Sequence, residues 1–538
     1  MRNIKNTEQI KQAILAGDTC MGMEFGSTRV KAVLLNAEHE VIAGGAVTWE
    51  NKWEGGIWTY DLADAVANMR ACYAALREDV YDKYGVSLAK IGHIGISGMM
   101  NGLLALDENG ALVTPFRTWR NTMTKPEADF LSERFGHTIP QRWSIVHLYQ
   151  LMKTEPEKAA RIKKITTLSG YIHLLLTGEL VIGCCEGAGM LPAEIVGDEP
   201  DYVPYMVASF DELAEEADMP WRLKDIFPRV LRAGSSGGVL TEAGAALLDE
   251  SGTLCAGIPF CPPEGDGGTG MVCTGSLAPG MATVSAGTST FGLFVLDKAP
   301  AHLDRKLELT ITPDGNPVVE IQSNNGTAEL DGWVGIVADA MKRLGADCNV
   351  QDVYAALLGA AREGDYACGG VLAYNCLSGE HLLDIAEGRP LFVRTPDSVL
   401  NLPNFMRSQL FAIFAPLAYG LGLLDDADRE KIVSVKAHGG LFRTRGAAQP
   451  VLAAALGRPV TVSEEAGEGG PFGAALLASY AMRRNDGETL AAYLSDRVFV
   501  GAKVHTEQPD AALAEEYRAY MEIYTRGLAV EKTAVNTL

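Results

Sequence analysis

Short apolar runs along the chain break at turns rich in glycine, serine and threonine, and longer apolar stretches recur between them with helical spacing. Met21 to Leu35 reads as strand, Gly26-Ser27-Thr28 turn and strand, and Glu40 to Val47 follows as another strand. Met281 to Leu296 repeats the pattern around Gly287-Thr288-Ser289, and Ile432 to Gly440 is a strand that stops at the paired glycines Gly439 and Gly440. Spacing predicts helices over 62–76 and 447–456, and buried strands over 91–97 and 459–462. Alternation of this kind predicts mixed α/β domains whose helices cover sheets. The first two turns lie 261 residues apart, about half the chain, which suggests a duplication into two similar halves. Glycine and proline punctuate the chain near Ala278-Pro279-Gly280, a natural boundary. The longest apolar stretch, Leu410 to Leu424, contains Pro416 and falls short of the ~20 residues of a membrane span, so it predicts a buried helix. Residues 510–528 predict a terminal amphipathic helix, with a frayed tail from Ala529.

Composition narrows the partners. The 538 residues are 47% apolar and 21% charged, as in ordinary globular proteins, and a chain this long buries a core without staples. A net charge of −22 argues against a nucleic-acid or anionic-membrane surface. The ten cysteines include no C-x-x-C, and the adjacent pair Cys184-Cys185 is a poor disulfide candidate, so reduced thiols in a cytoplasmic protein are expected. Met1 to Asp18 lacks the apolar region of a signal peptide.

Glycine-rich turns with hydroxyls can hold phosphates, because backbone N–H groups approach closely and Ser and Thr add donors. A single such turn at a hairpin tip is ordinarily just a turn. Here Gly26-Ser27-Thr28 sits between two strands with no Walker lysine, so neither a P-loop nor a dinucleotide fingerprint fits. Three such features, two of them repeated across the halves, favour a phosphate site.

From about Cys20 to Met482 the sequence resembles the FGGY carbohydrate kinases, within the actin/hexokinase/Hsp70-like ATPase superfamily. Five segments carry the resemblance, in the family's order. Met23 to Lys31 resembles the first phosphate motif, Ile94 to Gly102 with Leu106 to Gly110 the sugar loop, and Glu264 to Gly268 the catalytic-aspartate motif. Ser285 to Ser289 resembles the second phosphate motif, and Ala437 to Gly440 with 468–475 the adenosine segment. The resemblance implies two duplicated actin-like (ribonuclease H-like) domains, mixed sheets flanked by helices, with a cleft between them. Expected boundaries are an extension over 1–19, an N-terminal domain with sugar and base over 20–278, a nucleotide domain over 279–500, and a helix and tail over 501–538. It implies ATP and Mg2+, Asp266 as general base, and Glu24 beside the metal where the family usually has aspartate. It also assigns Gly26, Ser27, Thr28, Gly287, Thr288, Ser289, Gly439 and Gly440 to the nucleotide, and Met100, Asn101, Trp119 and Asn121 to the sugar. Domain closure and a homodimer are expected from relatives. A carboxylate base suits the reaction, since a hydroxyl becomes a nucleophile as its proton leaves.

The sugar side departs from the family most. Asn101 stands where ketopentose kinases often carry His, Asn121 where Trp-x-Asp is usual, and Gly267 where Asn often follows the base. Gly183 to Gly189 lacks the Asp-x-Ser pattern, and Gly379-Glu380-His381-Leu382 replaces Gly-Glu-Arg-x-Pro. Trp58 and Trp119 either stack on sugar faces or fill the core. Lys31 reads as a solvated strand-end charge, His93 and His438 are expected to be structural, and Met99 and Met100 can equally be core filler. The leading expectation is ATP-dependent phosphorylation of a small sugar, a ketopentose such as xylulose. A sugar- and nucleotide-binding regulator of the same fold, with weak or no kinase activity, is the alternative. An actin- or chaperone-like ATPase is remote.

Overall fold

The computed structural model describes residues 2–346, 348–463 and 469–538, so Glu468 of the expected adenosine segment lies outside the described residues. Two compact units emerge. The first comprises Met1–Leu277, Leu309–Pro317 and Gly467–Val500, and the second Ala278–Glu308, Val318–Ala466 and Gly501–Leu538.

In the first unit, strand Cys20–Phe25 pairs antiparallel with Arg29–Leu35, which pairs antiparallel with Val41–Thr48. On its other edge Cys20–Phe25 runs parallel to His93–Gly98, and the two-residue strand Glu264–Gly265 runs parallel to that. The second unit repeats this arrangement. Met281–Ala286 pairs antiparallel with Thr290–Val295, which pairs antiparallel with Pro317–Ser323. Ser434–His438 runs parallel to Met281–Ala286, and Val460–Ser463 parallel to that. Five strands therefore recur in one order with the same directions, which is the duplication expected from the two turns.

The returning segment 467–500 is the main departure from a contiguous division near residue 278. Its helix Gly470–Arg483 lies on the strands of the first unit. Contact is backbone to backbone: a Cβ at Gly22 would fall 2.0 Å from the Pro471 carbonyl oxygen, and one at Gly95 would fall 2.2 Å from that of Ala474. Only glycine permits the helix to come so near.

Helix Leu402–Gly422 is the buried helix expected around Pro416, and it anchors the second unit. Among the described residues no helix is long and apolar enough to cross a membrane. The expected tail is instead helical: Ala511–Thr537 is one continuous helix. Tyr524 stacks on Tyr374 at 4.6 Å, and fully buried Glu531 accepts the Arg389 backbone N–H at 3.1 Å, so packing carries the helix well past residue 529.

Candidate active site

Three parallel strands of the first unit deliver their C-terminal ends to one place, where open α/β sheets commonly bind ligands. Glu24 on Cys20–Phe25 and Glu264 both register with Ser97 of His93–Gly98. Asp266 opens the helix Asp266–Thr274 immediately after Glu264–Gly265 and so stands in its first turn. The Thr269 hydroxyl ties that turn to the sheet, lying 2.9 Å from Ser97 Oγ and donating to the Gly265 carbonyl at 3.1 Å.

Asp266 reaches solvent but protein surrounds it on most sides. Desolvation therefore holds its carboxyl above the usual range. The backbone N–H groups of Gly267 and Met100 and the charge of Arg142 pull it partly back. The Gly267 N–H donates to Asp266 Oδ1 at 3.0 Å. Such a carboxylate is accessible, oriented and a stronger base than an exposed one. Glu24 is pushed up to about 7, by burial first and then by the charge of Asp266, with Lys31 opposing. A cation beside these two carboxylates would relieve both effects. Among the described residues no group of three or more acidic, histidine or cysteine side chains could hold a metal. That donor set still suits Mg2+, which commonly takes one or two carboxylates and completes its shell with phosphate oxygens and water.

Of the residues expected at the sugar, Met100 lies beside Asp266. Met100 packs on Gly265, where a Cβ would fall 2.2 Å from Met100 Cγ. Asn101 is buried in the left-handed region at φ 71°, and its Oδ1 has no hydrogen-bond partner. Trp119 is 40% exposed and so is not core filler. Trp58 lies 4.0 Å beneath the Arg120 guanidinium. Asn121 does other work. Its Oδ1 accepts the Trp58 N–H at 2.9 Å and its Nδ2 donates to the carbonyls of Trp58 at 2.8 Å and Thr118 at 3.0 Å, so the amide is spent on fixing Trp58.

Two acidic residues beyond those read from the sequence stand at the site, Glu264 and Glu186. Glu264 is fully enclosed and accepts the backbone N–H groups of Cys185 at 3.3 Å and Glu186 at 3.0 Å; burial pushes it up to about 7. Glu186 is wholly buried against Gly265, with its carboxyl held well above the usual range, by burial first. A carboxylate directly before Gly265-Asp266, and one in the segment that lacks Asp-x-Ser, were the available signals.

Each half carries at a hairpin tip the turn expected to hold phosphate. In the first, the carbonyls are satisfied from within the unit. Trp49 Nε1 donates to Gly26 at 2.7 Å, Tyr60 Oη to Ser27 at 2.7 Å, and the Trp49 N–H to Thr28 at 3.1 Å. The Trp49 and Tyr60 rings stack at 4.3 Å, and Thr28 is left exposed. Burial pushes the Tyr60 phenol up to about 12. In the second, the Thr327 N–H donates to the Gly287 carbonyl at 2.8 Å and Thr288 is exposed. Gly439 and Gly440 leave the parallel strand beside that turn, with Gly439 at φ 118° and room for no Cβ, since one would meet the Ala286 carbonyl oxygen at 2.2 Å. The remainder of the expected adenosine segment packs in the first unit, where a Cβ at Gly470 would fall 2.1 Å from Glu24 Oε1.

Comparison with solved structures shows the same fold. A xylulose kinase from Rhodospirillum rubrum aligns at a TM-score of 0.75 over 96% of this chain and 100% of its own, with 20% identity. A gluconate kinase from Lactobacillus acidophilus aligns at 0.74 over 95% and 98%, with 18% identity. In sequence, a Haemophilus influenzae xylulose kinase is 26% identical over 50% of this chain and 54% of its own length, so the chain spans about half the length of that curated relative. A Bacillus licheniformis gluconokinase is 22% identical over 96% of this chain and 97% of its own. The family model for the N-terminal domain of FGGY carbohydrate kinases matches residues 19–273, and that for the C-terminal domain matches 282–482. The two repeats seen in the strands are thus the family's own two domains, and the chain belongs to the FGGY family of carbohydrate kinases.

Proposed function

We propose that this protein transfers the γ-phosphoryl group of ATP to a hydroxyl of a small sugar. The observation that carries the reading is Asp266: an accessible carboxylate at the parallel-strand ends, oriented by the N–H groups of Gly267 and Met100 and held above its ordinary range. Asp266 takes the hydroxyl proton as the sugar oxygen attacks the γ-phosphorus, and the bond to the bridging oxygen breaks to release ADP. The turns Gly26-Ser27-Thr28 and Gly287-Thr288-Ser289 hold phosphate oxygens through N–H and hydroxyl donors, while Gly439 and Gly440 admit the nucleoside without a side chain. Glu24, with Asp266 nearby, would hold Mg2+, which would supply neutralisation of charge on the phosphates. Met100, Asn101 and Trp119 form the sugar surface, with the unpartnered Asn101 Oδ1 awaiting a substrate hydroxyl. Asn121 acts by fixing Trp58.

A ketopentose such as xylulose is the first substrate reading. A sugar acid is the second, favoured by the positive charge of Arg142 felt at Asp266 and by the full-length similarity to a gluconokinase. ADP release with Mg-ATP against ketoses, aldoses, polyols and sugar acids separates them. Asp266→Asn should lower turnover about 10²–10⁴-fold with nucleotide binding retained. Normal turnover in that variant would remove Asp266 as the base. A flat panel with ATP still bound would favour the regulator.

A further inference from the structure

The segment Gly379 to Leu382 departs from its family pattern and has no part in the chemistry above, yet its glutamate is among the most enclosed acids of the second unit. Glu380 has no exposed surface, and three donors converge on its Oε2: Ser323 Oγ at 2.8 Å, the Asn324 backbone N–H at 3.0 Å and Asn325 Nδ2 at 3.0 Å. Its other oxygen lies 3.7 Å from His381 Nδ1. Those donors belong to one short loop. The loop begins at Ser323, which registers with Thr290, the residue directly after the second phosphate turn.

The loop then runs onto the back of the turn. A Cβ at Gly326 would fall 2.3 Å from the Gly287 carbonyl oxygen and 2.9 Å from that of Thr288. The Thr327 N–H donates to the Gly287 carbonyl at 2.8 Å. A second strut comes from buried Asn375, whose Nδ2 donates to the Gly326 carbonyl at 3.1 Å. Charge-assisted bonds from a buried carboxylate are stronger and more directional than neutral ones. Small displacements at such a support move the groups it carries, because packed interiors transmit strain.

We propose that Glu380 is a positioning residue for ATP: it fixes the 323–327 loop, and through Gly326 and Thr327 the loop sets the conformation of Gly287-Thr288-Ser289. The inference rests on the reading that this turn holds nucleotide phosphates. Glu380 touches no substrate itself, and its effect should appear in nucleotide parameters alone.

The test uses the full chain and three variants. Glu380→Gln keeps an acceptor of the same reach without the charge. Glu380→Ala removes the support. Gly326→Ala leaves Glu380 intact and presses directly on the Gly287 carbonyl. The KM for ATP and the equilibrium affinity for ATP should weaken about threefold in Glu380→Gln and tenfold or more in Gly326→Ala and Glu380→Ala. The KM for the sugar should stay within twofold. If Glu380→Ala does not fold, the other two variants carry the test. ATP affinity unchanged in both Glu380→Gln and Gly326→Ala, or equal losses toward ATP and sugar, would overturn the proposal. A wild-type protein that binds no ATP would instead overturn the reading of the turn on which it rests.

Discussion

The two phosphate turns are built on the same strand order yet are braced by opposite chemistries. The first leans on a rigid aromatic pair, Trp49 and Tyr60, whose indole N–H and phenol O–H reach its carbonyls. The second leans on a polar lattice of Thr327, Asn375 and, one step behind, Glu380. A second asymmetry lies two residues before each turn, where the first strand carries Glu24 and the second carries Ser285. Duplication has preserved the backbone and left the backing free to diverge, so a carboxylate precedes the first turn where a hydroxyl precedes the second. Backbone carbonyls demand partners when buried, but they do not specify which side chain supplies them.

Trp49→Ala should break this comparison hardest. It removes both a carbonyl partner and the stacked ring, and large-to-small aromatic changes in cores cost about 3–5 kcal/mol. Urea unfolding should show that loss; a change below about 1 kcal/mol would mean that the aromatic pair is ornament. Tyr60→Phe keeps the ring and deletes the donor to Ser27. Leaving that carbonyl unpaired should cost about 1–3 kcal/mol and weaken ATP affinity while sparing sugar affinity. Equal effects on both substrates would show that the pair braces the whole unit and not the turn.

The gentlest test concerns Glu24 and pH. Its carboxyl is raised from an ordinary 4.5 to about 7 in the folded protein, so the native state holds the proton more tightly than the unfolded chain. Its contribution is therefore complete below pH ~4.5 and is lost as pH rises through about 7. In magnesium-free buffer, Glu24→Gln should flatten the decline in stability between pH 5 and 8 by on the order of 1 kcal/mol. Glu264, also raised to about 7, should leave a residual slope. An unaltered profile would show that the other raised carboxyls, Glu264, Glu186 and Asp266 among them, produce the decline.

Much of this was legible in sequence because it is local. The hairpins, their Gly-Ser-Thr tips, the Pro416 helix and the helix from residue 62 follow from periodicity and turn chemistry. The order of the five segments carried the family. What escaped depends on partners remote in the chain. Tyr60 reaches Ser27 across 33 residues, and Glu380 reaches Ser323 across 57. The amphipathic pattern fades before residue 529, but Tyr374 and Arg389 hold the last turns of the final helix in place. Asn121 read as an altered sugar ligand because its neighbours in sequence form a motif; its hydrogen bonds show an amide committed to backbone.

The helix Gly470–Arg483 has a consequence for how the protein is made. Strands Cys20–Phe25 and His93–Gly98 rest on it through glycines that present bare backbone. On the ribosome the first unit must wait, its sheet lacking one layer, until almost the whole of the second has emerged. Domains commonly fold as they leave the tunnel, N-terminal first. Here a helix made late in synthesis covers strands made first, so a ribosome stalled before residue 470 would hold a first unit that lacks one layer.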